Sequence, residues 1–303
     1  MRILIAGGTG FLGPALVDSW IGQGHAVTAL VRDPLRASTV LPHQAILVRW
    51  NGGPHDDLQG MMARTDAVIN LSGVSIGEKR WSEKRKAIIL ASRVDTTRAL
   101  VAAMRTAQPR PSVFLNASAV GYYGMSGPGD VTEHADPGRD FLAATCRQWE
   151  DEALAARDRG IRVVLPRMGV VLGAGGGALE RMMLPFTLFV GGPLGSGTQW
   201  VPWVHRDDVI AAIQFVFDHP EFQGPFNLVA PGIVNMATFS KEIGRALGRP
   251  SWMPVPSVFL KWAFGEMSGI ILEGRHIVPA RLQEAGYAFR YPDVRQALRS
   301  ILA

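Results

Sequence analysis

Residues 116–124 read NASAVGYYG, directly after the apolar run SVFL. Ser118, Tyr122 and Tyr123 would then stand just beyond the end of a buried strand. Hydroxyls at such a place suit the proton that accompanies hydride transfer to or from a carbonyl. A second constellation comes earlier. In ILIAGGTGFLG, Gly7, Gly10 and Gly13 recur at every third residue, between an apolar run and a helix-like segment. Gly7 allows a tight turn, Gly10 lets backbone approach a pyrophosphate, and Gly13 lets the helix pack close to the sheet. The helix N-terminus then offers unpaired N–H groups and a favourable dipole to the anion. That is the chemistry of dinucleotide binding.

Which dinucleotide is decided near the end of the second strand, ALVRDP. An acid there would accept from the ribose 2′-hydroxyl of NAD, whereas the Arg32 guanidinium can pair with a 2′-phosphate in a fork. Asp33 follows at once and keeps NAD(H) open as an alternative. On an extended chain, however, it points away from the side Arg32 faces. NADP(H) is therefore the expectation. After the fourth strand, DAVINLSG, the small residues leave room beside an adenosine for Leu71 and Ser72 as backbone contacts. Arg93, on the long helix that follows, reads from the residues alone as a solvent-exposed helical arginine.

These groups meet only if the intervening elements carry them to one edge. Apolar, β-branched runs at 3–6, 26–31, 45–48, 67–70, 113–116 and 163–165 alternate with helical segments at 11–23, 83–107 and 140–159. Near-continuous apolar strands separated by helices predict a parallel sheet covered on both faces, a doubly wound α/β architecture. After Gly173 the pattern changes to glycine-dense loops, a helix at 207–218, a strand at 226–229 and then mostly helical pieces broken by prolines. The expected division is 1–172 for the sheet domain, with returns from about 200–230, and 173–303 for a smaller, mostly helical lobe.

Bulk properties narrow the function classes. The 303 residues are 47% apolar, enough for a sizeable core. The single cysteine, Cys146, excludes an intrachain disulfide and suits a reducing cytoplasm. No secretory pattern opens the chain, and MMLPFTLFV is shorter than the roughly 20 residues a bilayer span needs. A soluble, cytoplasmic protein without a membrane partner is expected. The net charge of +5 is spread along the chain apart from KRWSEKRK, with no nucleic-acid module, so no nucleic-acid partner is expected. The seven histidines show no ligand spacing, and no metal is inferred.

GGTGFLG, DAVINLSG, SAVGYYG and PRMGVVLG, in this order, resemble the extended short-chain dehydrogenase/reductase superfamily. More narrowly, LPFTLFVGGPLGSGTQWVPWVHRDDV and the tail EGRHIVPARLQEAGYAFRYPDV resemble an epimerase-like subgroup. Its members are related to nucleotide-sugar epimerases and end in a small C-terminal domain of unassigned function. The resemblance implies a Rossmann-type sheet binding NADP(H), with substrate between sheet and C-terminal lobe. Carried over by position, Gly7, Thr9, Gly10, Phe11, Leu12 and Gly13 would hold the pyrophosphate and Arg32 the adenosine phosphate, with Leu71 and Ser72 bordering the adenosine. ASRVDTT matches the segment whose arginine, here Arg93, reaches the cofactor. PRMGVVLG places Val171, and Arg167 with it, near the nicotinamide. Superfamily members often dimerise through the two long helices, here 83–107 and 140–159, which makes a homodimer a candidate state.

Typical members also carry a Ser, a Tyr and a Lys, the last two as Tyr-x-x-x-Lys on one helix. An ammonium on the same helical face lowers the pKa of a phenol that is otherwise a poor base. Here the residues four beyond the four tyrosines are Ser126, Gly127, Tyr291 and Arg295, and the motif is absent. In DFLAATCRQWEDEAL, Leu142 and Cys146 occupy the Tyr and Lys positions, with Cys146 read as a small buried apolar residue. Ser118 stands one place before the customary hydroxyl site, where it can hydrogen-bond a substrate carbonyl. Tyr122 and Tyr123 are candidate acids, or walls of the pocket, without a cationic neighbour in sequence. Gln199, Trp200, Trp203 and His205 read either as substrate-pocket lining or as packing between lobes. Two functions remain open: an NADP(H)-dependent, epimerase-like oxidoreductase acting on a small carbonyl, hydroxyl or nucleotide-sugar-like substrate, and a non-catalytic NADP(H)-binding sensor with a protein partner.

Overall fold

The computed structural model describes residues 1–54 and 57–302. Seven strands run parallel: β1 (Arg2–Ala6), β2 (Ala26–Val31), β3 (Ile46–Arg49), β4 (Ala67–Asn70), β5 (Val113–Asn116), β6 (Arg162–Met168) and β7 (Gly224–Leu228). Their spatial order is β3-β2-β1-β4-β5-β6-β7, so the chain reverses direction of travel beside β1. The order is that of a doubly wound sheet, whose ligand crevice lies beyond the strand C-termini at the reversal, between β1 and β4.

Strand alternation divides the core. Ile3, Ile5, Ala67, Ile69, Val113 and Leu115 enter the apolar cluster on one face. Leu4, Ala6, Val68 and Phe114 enter the cluster on the other. The first face is covered by α1 (Gly13–Gly22) through Leu16, Val17 and Trp20, joined later in the chain by the helix at Arg206–Asp218. The second is covered by α2 (Glu83–Thr106) and α3 (Phe141–Leu154). Ser82 caps α2 by accepting from Arg85 N at 3.2 Å, and Asp140 caps α3 by accepting from Ala143 N at 2.9 Å.

Strand β6 runs past the expected end at Leu165, through a proline. Val113–Leu115 pair with Arg162–Val164, and Ser118–Ala119 resume pairing with Arg167–Met168. Pro166 falls in the interruption between the two pairings, where its missing N–H is not required on that side.

Three further helices, α4 (Gly177–Thr187), α6 (Met236–Leu247) and α8 (Val294–Leu302), enclose a separate apolar cluster with Trp203 and Phe239. The helix at Arg206–Asp218 is α5, and α7 spans Ser257–Phe264. Beyond α7, Met267 and Ile270 pack with Phe264, Met125 and Leu142, so the C-terminal region reaches the α3 position discussed below.

Candidate active site

The glycine turn joins β1 to α1. Gly7 has φ +81°, and a Cβ there would lie 2.7 Å from the Leu71 carbonyl carbon and 2.8 Å from Ser72 N. The end of β4, at Leu71 and Ser72, thus lies directly against the turn. A Cβ on Gly13 would stand 2.0 Å from Gly8 O, so α1 packs against the turn itself. A Cβ on Gly10 would meet only Gly7 O, at 3.3 Å. Gly10 N donates to Gly7 O and Gly13 N to Gly10 O, both at 3.1 Å. The α1 cap residue, Leu12, supplies no side-chain acceptor, and the N–H groups of Phe11 and Leu12 have no partner among the described residues. Thr9 is exposed beside them. Open donors at a helix N-terminus, over backbone that no side chain shields, fit a pyrophosphate.

The Phe11 ring serves a purpose the sequence reading missed. Cβ atoms on Gly173, Gly176 and Gly177 would come within 3.0–3.1 Å of it, and Arg206 sits 5.7 Å from its centroid. The segment GAGGG therefore winds around this ring and anchors the start of α4 to the glycine turn.

At the end of β2, Asp33 Oδ1 accepts from Leu35 N at 3.1 Å and from Arg36 N at 3.2 Å, capping a single helical turn. Arg32 is exposed and makes no hydrogen bond or ion pair among the described residues. The acid is occupied and the base is free. Arg36, likewise exposed and unpaired, lies one turn further on.

Arg93 is not the solvated arginine that the residues alone suggest. It is half-buried, stands 5.2 Å from the Trp149 ring, and donates to the carbonyls of Val74 at 3.2 Å and Ile89 at 3.1 Å. A Cβ on Gly73 would touch its guanidinium carbon at 3.0 Å. Burial lowers its pKa, and no carboxylate faces it among the described residues. Beneath this loop lies a polar cluster that was not expected from the sequence. Buried Asn70 donates to Thr97 Oγ1 at 3.0 Å and to Asn116 Oδ1 at 2.7 Å, Thr97 donates to Asn116 Oδ1 at 3.1 Å, and Trp149 Nε1 donates to Thr97 at 2.9 Å. Asn70 Oδ1 also accepts from Ser72 N at 3.1 Å, fixing the residue expected beside the adenosine. A polar residue closing each of two apolar runs, VIN and FLN, is the signal that marks them.

The hydroxyls of NASAVGYYG separate into two kinds. Ser118 is buried, and its Oγ donates to Glu150 Oε1 at 2.6 Å. Glu150 also receives the fork of Arg167, at 2.9 Å from Nε and 2.7 Å from Nη2, in a pair whose side chains are 3% and 5% exposed. Arg167 Nη1 donates at 2.9 Å to Tyr123 Oη, which donates to Asn227 Oδ1 at 2.6 Å. Burial pushes the Tyr123 phenol up to about 12, although Arg167 acts in the opposite sense, so this hydroxyl stays protonated. Burial also works against the Arg167 charge, but Glu150 more than offsets it and the guanidinium pKa is raised. Tyr122 differs. Its ring lies 3.4 Å from the Arg167 guanidinium carbon, it is half-buried, and its hydroxyl has no partner among the described residues. The cationic neighbour missing from the local sequence is thus supplied by β6.

The customary Tyr and Lys positions are apolar in space as well as in sequence. Leu142 and Cys146 face Gly121, whose Cβ would lie 3.3 Å from Leu142 Cβ and 3.8 Å from Cys146 Sγ. Burial pushes the Cys146 thiol up to about 12. Val171 lies in the short strand Val170–Leu172, which pairs in parallel with Trp203–His205. Of the four expected pocket residues, only Trp200 is exposed, and its ring meets His276 edge-on at 4.6 Å. Trp203 is fully buried, with Nε1 donating to Gly232 O at 3.0 Å. Gln199 Nε2 ties Leu194 O to Ile271 O, at 2.8 and 2.9 Å. His205 caps α5 by accepting from Asp207 N at 3.0 Å, and its ring lies 3.9 Å from that of Tyr291. These three join segments of the C-terminal region to one another. No group of three or more His, Cys, Asp or Glu among the described residues is placed to hold a metal.

Residues 3–237 match the NAD dependent epimerase/dehydratase family, and residues 255–301 match a domain of unknown function, DUF1731. The "Epimerase family protein SDR39U1 homolog, chloroplastic" of Arabidopsis thaliana is 39% identical over 307 residues, spanning 100% of this chain and 87% of the relative. "Epimerase family protein YfhF" of Bacillus subtilis (strain 168) is 38% identical, spanning 100% and 98%. Among solved structures, human epimerase family protein SDR39U1 (isoform2) with NADPH superposes with a TM-score of 0.86 at 34% identity, covering 100% of this chain and 99% of that one. A UDP-glucuronic acid 4-epimerase from Bacillus cereus, at 16% identity and a TM-score of 0.80, shares the fold alone. With most of its length matched, and relatives aligned nearly end to end, this chain belongs to the NAD dependent epimerase/dehydratase family and carries the DUF1731 unit at its C-terminal end.

Proposed function

We propose that the chain binds NADP(H) at the C-terminal edge of the sheet and acts as an epimerase-like oxidoreductase on a small carbonyl, hydroxyl or nucleotide-sugar-like substrate. The preference for the phosphorylated cofactor is carried by one contrast: Asp33 is committed to capping a turn while the adjacent Arg32 is unpaired. The human relative crystallised with NADPH supports the same reading. The Gly7–Gly13 turn and the open N–H groups of Phe11 and Leu12 would hold the pyrophosphate, and Arg32 the 2′-phosphate. When bound, the cofactor supplies or accepts a hydride.

The proton falls to Tyr122. Ser118 and Tyr123 have their hydrogens engaged by Glu150 and Asn227, so they act as positioning residues that hold Arg167, Tyr123 directly and Ser118 through Glu150. Arg167 in turn fixes the Tyr122 ring, leaving a free phenol to exchange a proton with a substrate oxygen. A positioned general acid contributes about 10²–10⁴ in rate, so Tyr122→Phe should lower turnover about a hundred-fold or more while NADPH affinity is kept. The assay follows NADPH absorbance across a carbonyl panel. Equal turnover in the variant would remove Tyr122 from the chemistry.

A second reading, a cofactor-binding sensor without turnover, is favoured by the buried Leu142 and Cys146 at the customary acid/base positions. Tight NADPH binding with no oxidation across the panel would select it.

A further inference from the structure

Most of the exposed large apolar side chains among the described residues fall in two stretches of the C-terminal region. Leu184, Leu188 and Phe189, at the end of α4 and just after it, Trp252 in the segment after α6, and Phe259 and Trp262 on α7 are each more than half exposed. Nine of the fifteen exposed large apolar side chains among the described residues fall in 184–190 and 252–262. Backbone and indole bonds tie the two stretches together. Trp252 N and Met253 N donate to Gly191 O at 2.9 and 3.1 Å, Trp252 Nε1 donates to Phe189 O at 3.0 Å, and the Phe259 and Trp262 rings are 6.0 Å apart. Phe189 has φ +64°, the one non-glycine residue in the left-handed region among those described. A bulky residue is held there only against a steric cost, and the result is an aromatic ring turned to solvent.

Charge identifies the occupant. Residues 181–193 and 243–265 contain no Asp or Glu, but they contain Arg181, Arg245, Arg249 and Lys261. Glu242 neutralises Arg245. Arg249 lies 4.4 Å from the Phe189 ring, and Arg181 donates to the Gly77 carbonyl. Neither these two nor Lys261 has a carboxylate partner among the described residues. Glu180, one turn before Leu184, is the nearest acid on α4. A second copy meeting this face through a two-fold axis would bring unpaired cations together with their own kind. An anionic bilayer surface instead offers acyl chains to the rings and phosphates to the cations. We propose that this face docks on the surface of an anionic lipid bilayer, with the rings inserted shallowly and Arg181, Arg249 and Lys261 at the headgroups. No described helix is long and apolar enough to cross a membrane, and surface attachment needs none. The inference is independent of the cofactor reading, although α7 ends at Phe264 beside Leu142, so the face borders the candidate site.

The test is flotation of the full chain with vesicles of phosphatidylcholine alone or mixed with phosphatidylglycerol. The expected result is co-flotation with the mixed vesicles only, released by raised salt. Lys261→Gln should weaken binding about five-fold. Phe259→Ser with Trp262→Ser should abolish it at unchanged melting temperature, since both side chains project into solvent. Absence of flotation with mixed vesicles, or flotation that survives the double substitution, overturns the proposal. So does a concentration-dependent dimer that the double substitution dissolves, because the face would then belong to a second copy.

Discussion

At the scale of single residues, the site depends on which polar atoms already have partners. Ser118, Tyr122 and Tyr123 look equivalent in sequence, but only Tyr122 keeps a free hydroxyl. The stretch stood out in sequence because a serine and tyrosines followed a buried run, and the proton chemistry proposed for it rests on that free phenol. Arg167 was expected near the nicotinamide from the resemblance, but its contact with the tyrosines was not legible, because it arrives on another strand 44 residues beyond Tyr123. The buried Glu150–Arg167 pair makes a sharp prediction. Glu150→Gln would leave a buried guanidinium without its counter-charge and should destabilise the chain by about 3–5 kcal/mol in urea unfolding, whereas a change within experimental scatter would show that Arg167 finds another partner. His205 makes a second, in pH. Burial lowers its folded pKa below the ordinary 6.5, so the unfolded chain takes up the proton first. The stability contributed by this site is therefore complete above pH 6.5 and is lost as pH falls below it, when Nδ1 can no longer accept from Asp207 N. His205→Asn retains a capping acceptor without the titration. Melting temperatures measured below pH 6.5 should fall less steeply in the variant than in the parent, and parallel curves would refute the assignment.

Among the elements, the glycine turn was the most legible, because what glycine permits is local. Gly7 and Gly13 sit where a side chain would strike backbone, at Leu71 and Gly8 respectively. Gly22, in the same helix as Gly13, faces open space. Gly13→Ala should therefore cost about 1–3 kcal/mol and abolish NADPH binding, while Gly22→Ala should be neutral or stabilise by up to about 1 kcal/mol. Paired thermal melts distinguish the two, and equal effects would mean that the turn tolerates a methyl group. Other elements were harder to read. β6 continues through Pro166 only because its neighbour on one side changes from β5 to Ser118–Ala119. In α7, SVFLKWAF, apolar residues abound, but Leu260 is buried while Val258, Phe259 and Trp262 face outward. Hydropathy marks a face without saying what covers it.

Across the whole molecule, strand and helix alternation announced a parallel sheet and a later return to it from about 200–230, but the order of its strands arises from contacts distant in sequence. The Asn70–Thr97–Asn116 cluster illustrates the limit: three elements are tied together by side chains 19 to 46 residues apart. The proposed cofactor selection depends equally on that assembly, since a short segment offers both an acid and a base and the folded turn occupies the acid. Calorimetric titration of the full chain with NADPH and NADH, repeated with Arg32→Ala, tests this most directly. NADPH should bind at least about ten-fold more tightly than NADH, and the substitution should remove that advantage while sparing NADH. Absence of heat with either nucleotide, or equal loss of both in the variant, would contradict it.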